Sequence, residues 1–182
     1  MTGTTNTAGT SADGGEQGQR VLRVGIVGGR LLDEMEHKLR HSALSWRPGA
    51  RALLFEARER GIPTALVSAS WNRLIDAVSE KIDEDLGRAA FDVVIAGDDV
   101  SMSKPHPEPY RLAAARLGVR PKDCVAIEDS PTGVRSAVAA GCRTFAVPNV
   151  VDIPAGRGYT VVNSLNELDG SQLGLGASAT MA

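Results

Sequence analysis

Between residues 64 and 162 the chain alternates short apolar runs with amphipathic stretches, and this alternation limits the possible folds more than any other feature. TALVS at 64–68, FDVVIAG at 91–97, CVAIED at 124–129 and RTFAV at 143–147 have strand length and are apolar at successive positions; YTVV at 159–162 is a shorter fifth run. Strands that are apolar on both faces are covered on both faces, and strands separated by helices pair in parallel. The intervening segments carry helix signals. Leu53, Leu54 and Ala57 recur at helical spacing within 48–60, and Gly61 ends that run. Leu74, Ile75, Val78, Ile82 and Leu86 share one face of 71–86. Pro107 opens a helix that Gly118 closes, and Pro131 stands in the first turn of another, with Gly141 just past its end. The expected fold is α/β, a Rossmann-like parallel sheet with helices on both faces.

The flanks are different. Residues 1–19, MTGTTNTAGTSADGGEQGQ, hold almost nothing apolar and are expected to be a disordered tail, as are residues 169–182. What lies between is enough for one ordinary domain, since 42% of the 182 residues are hydrophobic and 23% charged. A formal net charge of −2 and 4% aromatic residues give neither the basic footprint nor the stacking platform of a nucleic-acid binder. No apolar run approaches the ~18 residues of a membrane span, and no basic and then apolar leader opens the chain. Cys124 and Cys142, the only cysteines, sit in apolar sequence where reduced, buried thiols are expected. A cytoplasmic protein without nucleic-acid or membrane partners is the expectation.

Functional groups in open α/β sheets collect beyond the carboxyl ends of the strands. Ser68 stands there after the first run, Asp98 and Asp99 after the second, and Glu128 and Asp129 at the end of the third, with Lys104 in the loop before the next helix. Taken singly, each has an ordinary explanation. Ser68 suits a helix cap, Asp98 and Asp99 suit turn chemistry, Lys104 suits solvent, and His106 lies between prolines. In this order, hydroxyl, ammonium and paired carboxylates describe a site for phosphate and a divalent cation. Donors hold phosphate oxygens, and hard carboxylate oxygens suit Mg²⁺.

VSAS at 67–70 with Asn72, SKPHPEPY at 103–110 and VAIEDSPTGVRSAVAAGCRTFAVPN at 125–149 resemble the second, third and fourth motifs of the haloacid dehalogenase superfamily. They are most similar to its phosphoglycolate phosphatase and β-phosphoglucomutase branch, over 46–168. The resemblance implies a Mg²⁺-dependent phosphatase acting on a small phosphorylated metabolite through an aspartyl-phosphate. It further implies that Ser68, the Ala69 amide, Asn72 and Lys104 hold the phosphoryl group. Asp129 is implied as a Mg²⁺ ligand and Glu128 as a direct or water-mediated one, with Ser130 and Asp99 orienting the carboxylates.

One part of the pattern is missing. The family's first motif is a strand ending in Asp-x-Asp-Gly-Thr, whose first Asp is the nucleophile and whose second is the general acid and base. No Asp-x-Asp precedes Ser68 in an apolar strand context. Two readings of 20–45 compete. LLDEMEHKLR at 31–40 is amphipathic, with Leu31, Leu32, Met35 and Leu39 on one side, and resembles the last helix of the family's inserted cap. Alternatively, VLRVGIVGGRLLD at 21–33 is a decayed first motif, with Ile26 in the nucleophile's place, Gly28 in that of the acid/base, and Gly29, Leu31 and Asp33 in register behind. On either reading the chain lacks the nucleophile. It is then an incomplete or inactive form of such an enzyme, or a non-catalytic phosphate-binding descendant. A dinucleotide-binding module is a distant third, because Gly25, Gly28 and Gly29 miss the required spacing.

The resemblance places the absent strand mid-sheet, between 64–68 and 124–129. Its loss leaves two apolar edges facing a gap, with unpaired buried groups costing on the order of 1–3 kcal/mol each. Such a chain is expected to be unstable unless 21–27 inserts as the central strand.

Overall fold

The computed structural model describes residues 26–43, 45–168 and 173. The expected disorder of 1–19 and of 169–182 falls outside these residues, Leu173 apart. Ten regular elements follow in chain order: α1 (Ile26–His41), α2 (Ala50–Glu59), β1 (Ala65–Val67), α3 (Asn72–Leu86), β2 (Val93–Ile95), α4 (Glu108–Arg116), β3 (Val125–Glu128), α5 (Pro131–Ala140), β4 (Arg143–Ala146) and β5 (Tyr159–Val161). Each lies within a residue or two of its sequence signal, except that α1 begins earlier than 31–40.

All strands pair in parallel, but in two sheets. Ala65, Leu66 and Val67 of β1 face Val93, Val94 and Ile95 of β2. Across the molecule β3 pairs β4, with Val125 opposite Arg143 and Glu128 opposite Ala146, and β4 pairs β5. The facing edges of β1 and β3 border a cavity of about 480 Å³. Among the described residues no backbone hydrogen bond crosses it. No described strand occupies it.

Alternation along β3 and β4 separates the two covering layers. Val125 and Phe145 look toward α2, where Ala50 and Leu53 pack with Val147, Val162, Leu165 and Leu168. Ala126 looks the other way, toward Ala137, Ala140, Cys142 and Tyr110 on the α4 and α5 side. Ala146 and Val134 join Ile153 in a second cluster on α5. Helix α3 rests on α2 through Ile82, Leu86, Leu54 and Trp46, and it stops at Gly87, whose φ of 68° is the left-handed stop that glycine accepts readily.

Helix α1 lies along α3 and runs parallel to it. Arg73, near the start of α3, pairs with Asp33 and Glu36 at 2.8 and 2.6 Å, and further along Arg40 pairs with Glu80. These pairs are exposed and each contributes little. Ile26 and Val27 form the first turn of α1, so the expected central strand does not run on through 26–27, and 21–25, the rest of that expectation, lie outside the described residues. The decayed-first-motif reading is corrected by the same helix. Gly28, Gly29, Leu31 and Asp33 fall inside the helix, where the apolar spacing of 31–39 continues a helical repeat back to Ile26. The distant dinucleotide-binding reading loses its glycine turn for the same reason.

Candidate active site

The carboxyl ends of β1 and β3 meet at one side chain. Lys104 Nζ donates to the Val67 carbonyl at 3.0 Å and to Glu128 Oε1, with its ammonium 5.1 Å from the centre of the Tyr110 ring. Lys104 and Glu128 are both buried, at 9% and 6% side-chain exposure. A buried ion pair of this kind holds only if its remaining lone pairs are satisfied, and they are. The Tyr110 hydroxyl donates to Glu128 Oε1 and the Ser130 hydroxyl donates to Oε2 at 3.3 Å. Burial, followed by the Glu128 charge, pushes the Tyr110 phenol far above its usual range, so it stays protonated and donates.

Local chemistry fixes each member. Ser130 caps α5, its hydroxyl accepting from the Gly133 amide at 3.1 Å, which sets the start of the helix against Glu128. Gly133 is required there, because a Cβ at that position would overlap the Glu128 carboxylate. The loop carrying Lys104 is clasped by Glu108, whose carboxylate accepts from the Ser101 and Met102 amides at 2.8 and 2.9 Å. Ser136 on α5 ties down the same loop by donating to the His106 carbonyl at 2.6 Å.

The other expected residues surround this centre. Ser68 follows Val67 directly, its amide donating to Ile95 and its hydroxyl accepting from the Ser70 amide at 3.1 Å. Ala69 is exposed beside it. Asp129 is half-exposed, with Oδ2 3.9 Å from the Arg47 guanidinium. Asn72 and Asp99 meet each other, Asn72 Nδ2 donating to Asp99 Oδ1 at 3.4 Å. The remaining Asp99 oxygen accepts from the Ala96 amide at 2.8 Å. The expectation that Asp99 orients the carboxylate pair is therefore corrected. Asp99 follows β2, one strand beyond β1, and its contacts brace Ala96 and Asn72.

Sequence reasoning missed Arg47 and Tyr110 as site members. Arg47 donates to the Val147 and Pro148 carbonyls at 3.0 and 2.9 Å, fixing the loop after β4 beside Asp129. Nothing in local sequence spacing signals a partner so distant along the chain. Tyr110 had a signal: it closes the SKPHPEPY run that carries Lys104 and stands in the first turn of α4.

The donors suit a water-rich Mg²⁺ site of one or two carboxylates, the usual protein share for that ion. Asp129 is the available oxygen donor, whereas Glu128 is committed to Lys104, Tyr110 and Ser130. Among the described residues, no three His, Cys, Asp or Glu side chains converge as a closed metal cage. The thiols stand apart from this chemistry, since both are free and burial pushes Cys142 up to about 11 and raises Cys124 too.

Comparison with known proteins bears on the family and the fold. A profile of haloacid dehalogenase-like hydrolases matches residues 13–141. Hexitol phosphatase A of Escherichia coli is 38% identical over 122 residues, which are 67% of this chain and 50% of that protein. The chain spans about half the length of the curated relatives it matches. CbbY from Rhodobacter sphaeroides, solved as a mutant in complex with xylulose-1,5-bisphosphate, superposes with a TM-score of 0.72 at 30% identity, covering 81% of this chain and 67% of that one. A putative β-phosphoglucomutase from Thermotoga maritima superposes at 0.62 with 29% identity, covering 77% and 65%. The chain belongs to the haloacid dehalogenase-like hydrolases, in their phosphatase branch.

Proposed function

We propose that this chain is the phosphate-holding part of a Mg²⁺-dependent phosphomonoester phosphatase, and that by itself it binds a small phosphorylated metabolite without turning it over. The observation that carries this reading is the Lys104 ammonium, held between the ends of β1 and β3 immediately beside Ser68. An ammonium fixed at two strand ends, with a hydroxyl next to it, suits a phosphoryl group more than any neutral ligand. In this reading Ser68, the Ala69 amide and Asn72 donate to phosphate oxygens, and Lys104 balances their charge. Mg²⁺, when bound, supplies further neutralisation of the phosphoryl oxygens, with Asp129 as its ligand and Glu128 as an indirect one. Ser130 positions Glu128 through its hydroxyl. The same reading takes 46–168 as the core, 20–45 as a remnant of the cap and the cytoplasm as the place of work; no helix among the described residues is long and apolar enough to cross a membrane.

Among the described residues the carboxylate beside Lys104 is Glu128, which is committed to Lys104, Tyr110 and Ser130, and in this reading none serves as the nucleophile that forms an aspartyl-phosphate. What remains is binding. Calorimetric titration with inorganic phosphate and with Mg²⁺ tests it. Ser68→Ala is expected to weaken phosphate binding by about ten-fold, the loss of one hydrogen bond to a charged group. Asp129→Asn is expected to weaken Mg²⁺ binding by at least about ten-fold and to leave the fold intact. Unchanged Mg²⁺ affinity in Asp129→Asn would remove the metal-site assignment.

A further inference from the structure

Cys124 and Cys142 are neighbours across the amino ends of β3 and β4. The ladder begins with Val125 opposite Arg143, and the residue before each of them is a cysteine. The Cys124 carbonyl accepts from the Arg143 amide at 3.0 Å, so the strands are already paired at this level. Neighbouring strands lie about 4.8 Å apart, inside the roughly 4.4–6.8 Å between Cα atoms that a disulfide spans. Alternation turns both side chains to the face of Ala126, where they pack with Ala137 and Ala140 of α5. Burial pushes the Cys142 thiol up to about 11, and the nearby Cys124 sulfur adds to the rise. Backbone contacts fix both positions. Gly141, at a φ of 93°, turns the chain out of α5, and the Cys142 amide donates to the Ala137 carbonyl at 3.1 Å. The Cys124 amide donates to the Pro121 carbonyl at 3.0 Å.

We propose that Cys124 and Cys142 are a modification site, a thiol pair that closes to a disulfide in the native fold when a low-molecular-weight disulfide is in excess. Both are free thiols in the structure, and Cys124 is the partly exposed one. The Cys124 thiolate attacks one sulfur of the small disulfide, whose S–S bond breaks, and the expelled thiolate takes up a proton. The Cys142 thiolate then attacks the Cys124 sulfur, bonds to it and expels the second small thiol. Two cysteine thiols are oxidised while one small disulfide is reduced to two thiols. The contact given up is weak, the Cys124 Sγ to Arg120 carbonyl bond at 3.4 Å. The bridge closes a loop that holds β3, Glu128, Asp129, Ser130 and α5, so it ties together the carboxylate half of the site. It lies at the opposite ends of the strands from Lys104 and Glu128, and its formation requires neither phosphate nor Mg²⁺.

The test incubates the folded 182-residue chain with excess oxidised glutathione at about pH 8.5, where thiolate is more abundant, and digests it with trypsin without reductant. Cleavage after Lys122, Arg135 and Arg143 separates the two cysteines into peptides 123–135 and 136–143. The expected product is these two peptides joined, from a chain lighter by two hydrogens, and reductant is expected to part them. The thermal midpoint of the oxidised chain is expected to rise by roughly 5–10 °C, and amide exchange in α5 to slow about ten-fold or more. Cys124→Ser, treated in the same way, is expected to show no joined peptides and no rise. The proposal is overturned if both thiols stay free, if glutathione remains on Cys124 alone, or if the bridges join separate copies of the chain. Joined peptides that form in urea but not in the folded chain would overturn it too, because the fold would then be holding the sulfurs apart. So would a joined chain whose midpoint does not rise, since the native strand register would not fit the bridge.

Discussion

Replacing Lys104 with Met is expected to lower stability by about 3–5 kcal/mol, the cost of leaving one partner of a buried ion pair unmatched. The side chains are near in volume, so the loss is electrostatic. Glu128, 6% exposed, keeps the Tyr110 and Ser130 hydroxyls but loses its counter-charge, and the Val67 carbonyl loses its donor. Against a usual total of about 5–15 kcal/mol, that shift is large enough to populate unfolded chain at equilibrium. Urea denaturation should show the midpoint falling with little change in slope. The double substitution Lys104→Met with Glu128→Gln should recover much of the loss, since it removes the stranded charge. Recovery to less than a quarter of the difference would mean that Lys104 acts mainly through packing.

Gly133→Ala is expected to cost about 2–4 kcal/mol, combining overpacking with loss of hydrogen bonds to a buried carboxylate. Helix propensity alone favours Ala over Gly, so the two effects oppose each other. Contact decides between them. The added methyl would occupy the space of the Glu128 carboxyl, which cannot move without breaking from Lys104 and Tyr110. In a Glu128→Ala background the space is open, and Gly133→Ala should become neutral or slightly stabilising. This non-additivity, read from urea midpoints of the four proteins, separates a steric conflict with Glu128 from a general effect on α5.

Much of this molecule was legible before its structure, and the reason is physical. A strand buried on both faces writes an apolar run, and Pro and Gly mark the helix limits between runs. β1 through β5 and α2 through α5 appear where those signals stand. The residues at strand ends followed, because a strand's direction fixes which end carries its polar groups. Ser68 and Glu128 were placed at strand ends in this way, and Lys104 in the loop between β2 and α4. Side-chain direction was less legible. Asp99 was read as orienting the carboxylate pair, yet it braces Ala96 and Asn72. Nothing in one sequence tells a carboxylate at a strand end which neighbouring loop will supply its partner. Arg47 was invisible for that reason, its contacts lying in the loops after β3 and β4. The two-sheet arrangement follows from there being no described strand before β1 to part it from β3. The start of α1 could not be anticipated, because GIVGG at 25–29 has a strand's composition and helix glycines are locally unfavourable.

The central claim is that the phosphate site stands without the group that attacks phosphorus, and turnover tests it most directly. Purified 182-residue chain, its folding confirmed by exchange protection of α5 and β4, would be incubated with p-nitrophenyl phosphate and Mg²⁺ beside the Asp129→Asn variant. The expected result is nitrophenol release no faster than in buffer for both proteins, together with phosphate binding by calorimetry. Release well above buffer that disappears in Asp129→Asn would contradict the account, because it would show a working nucleophile in this chain.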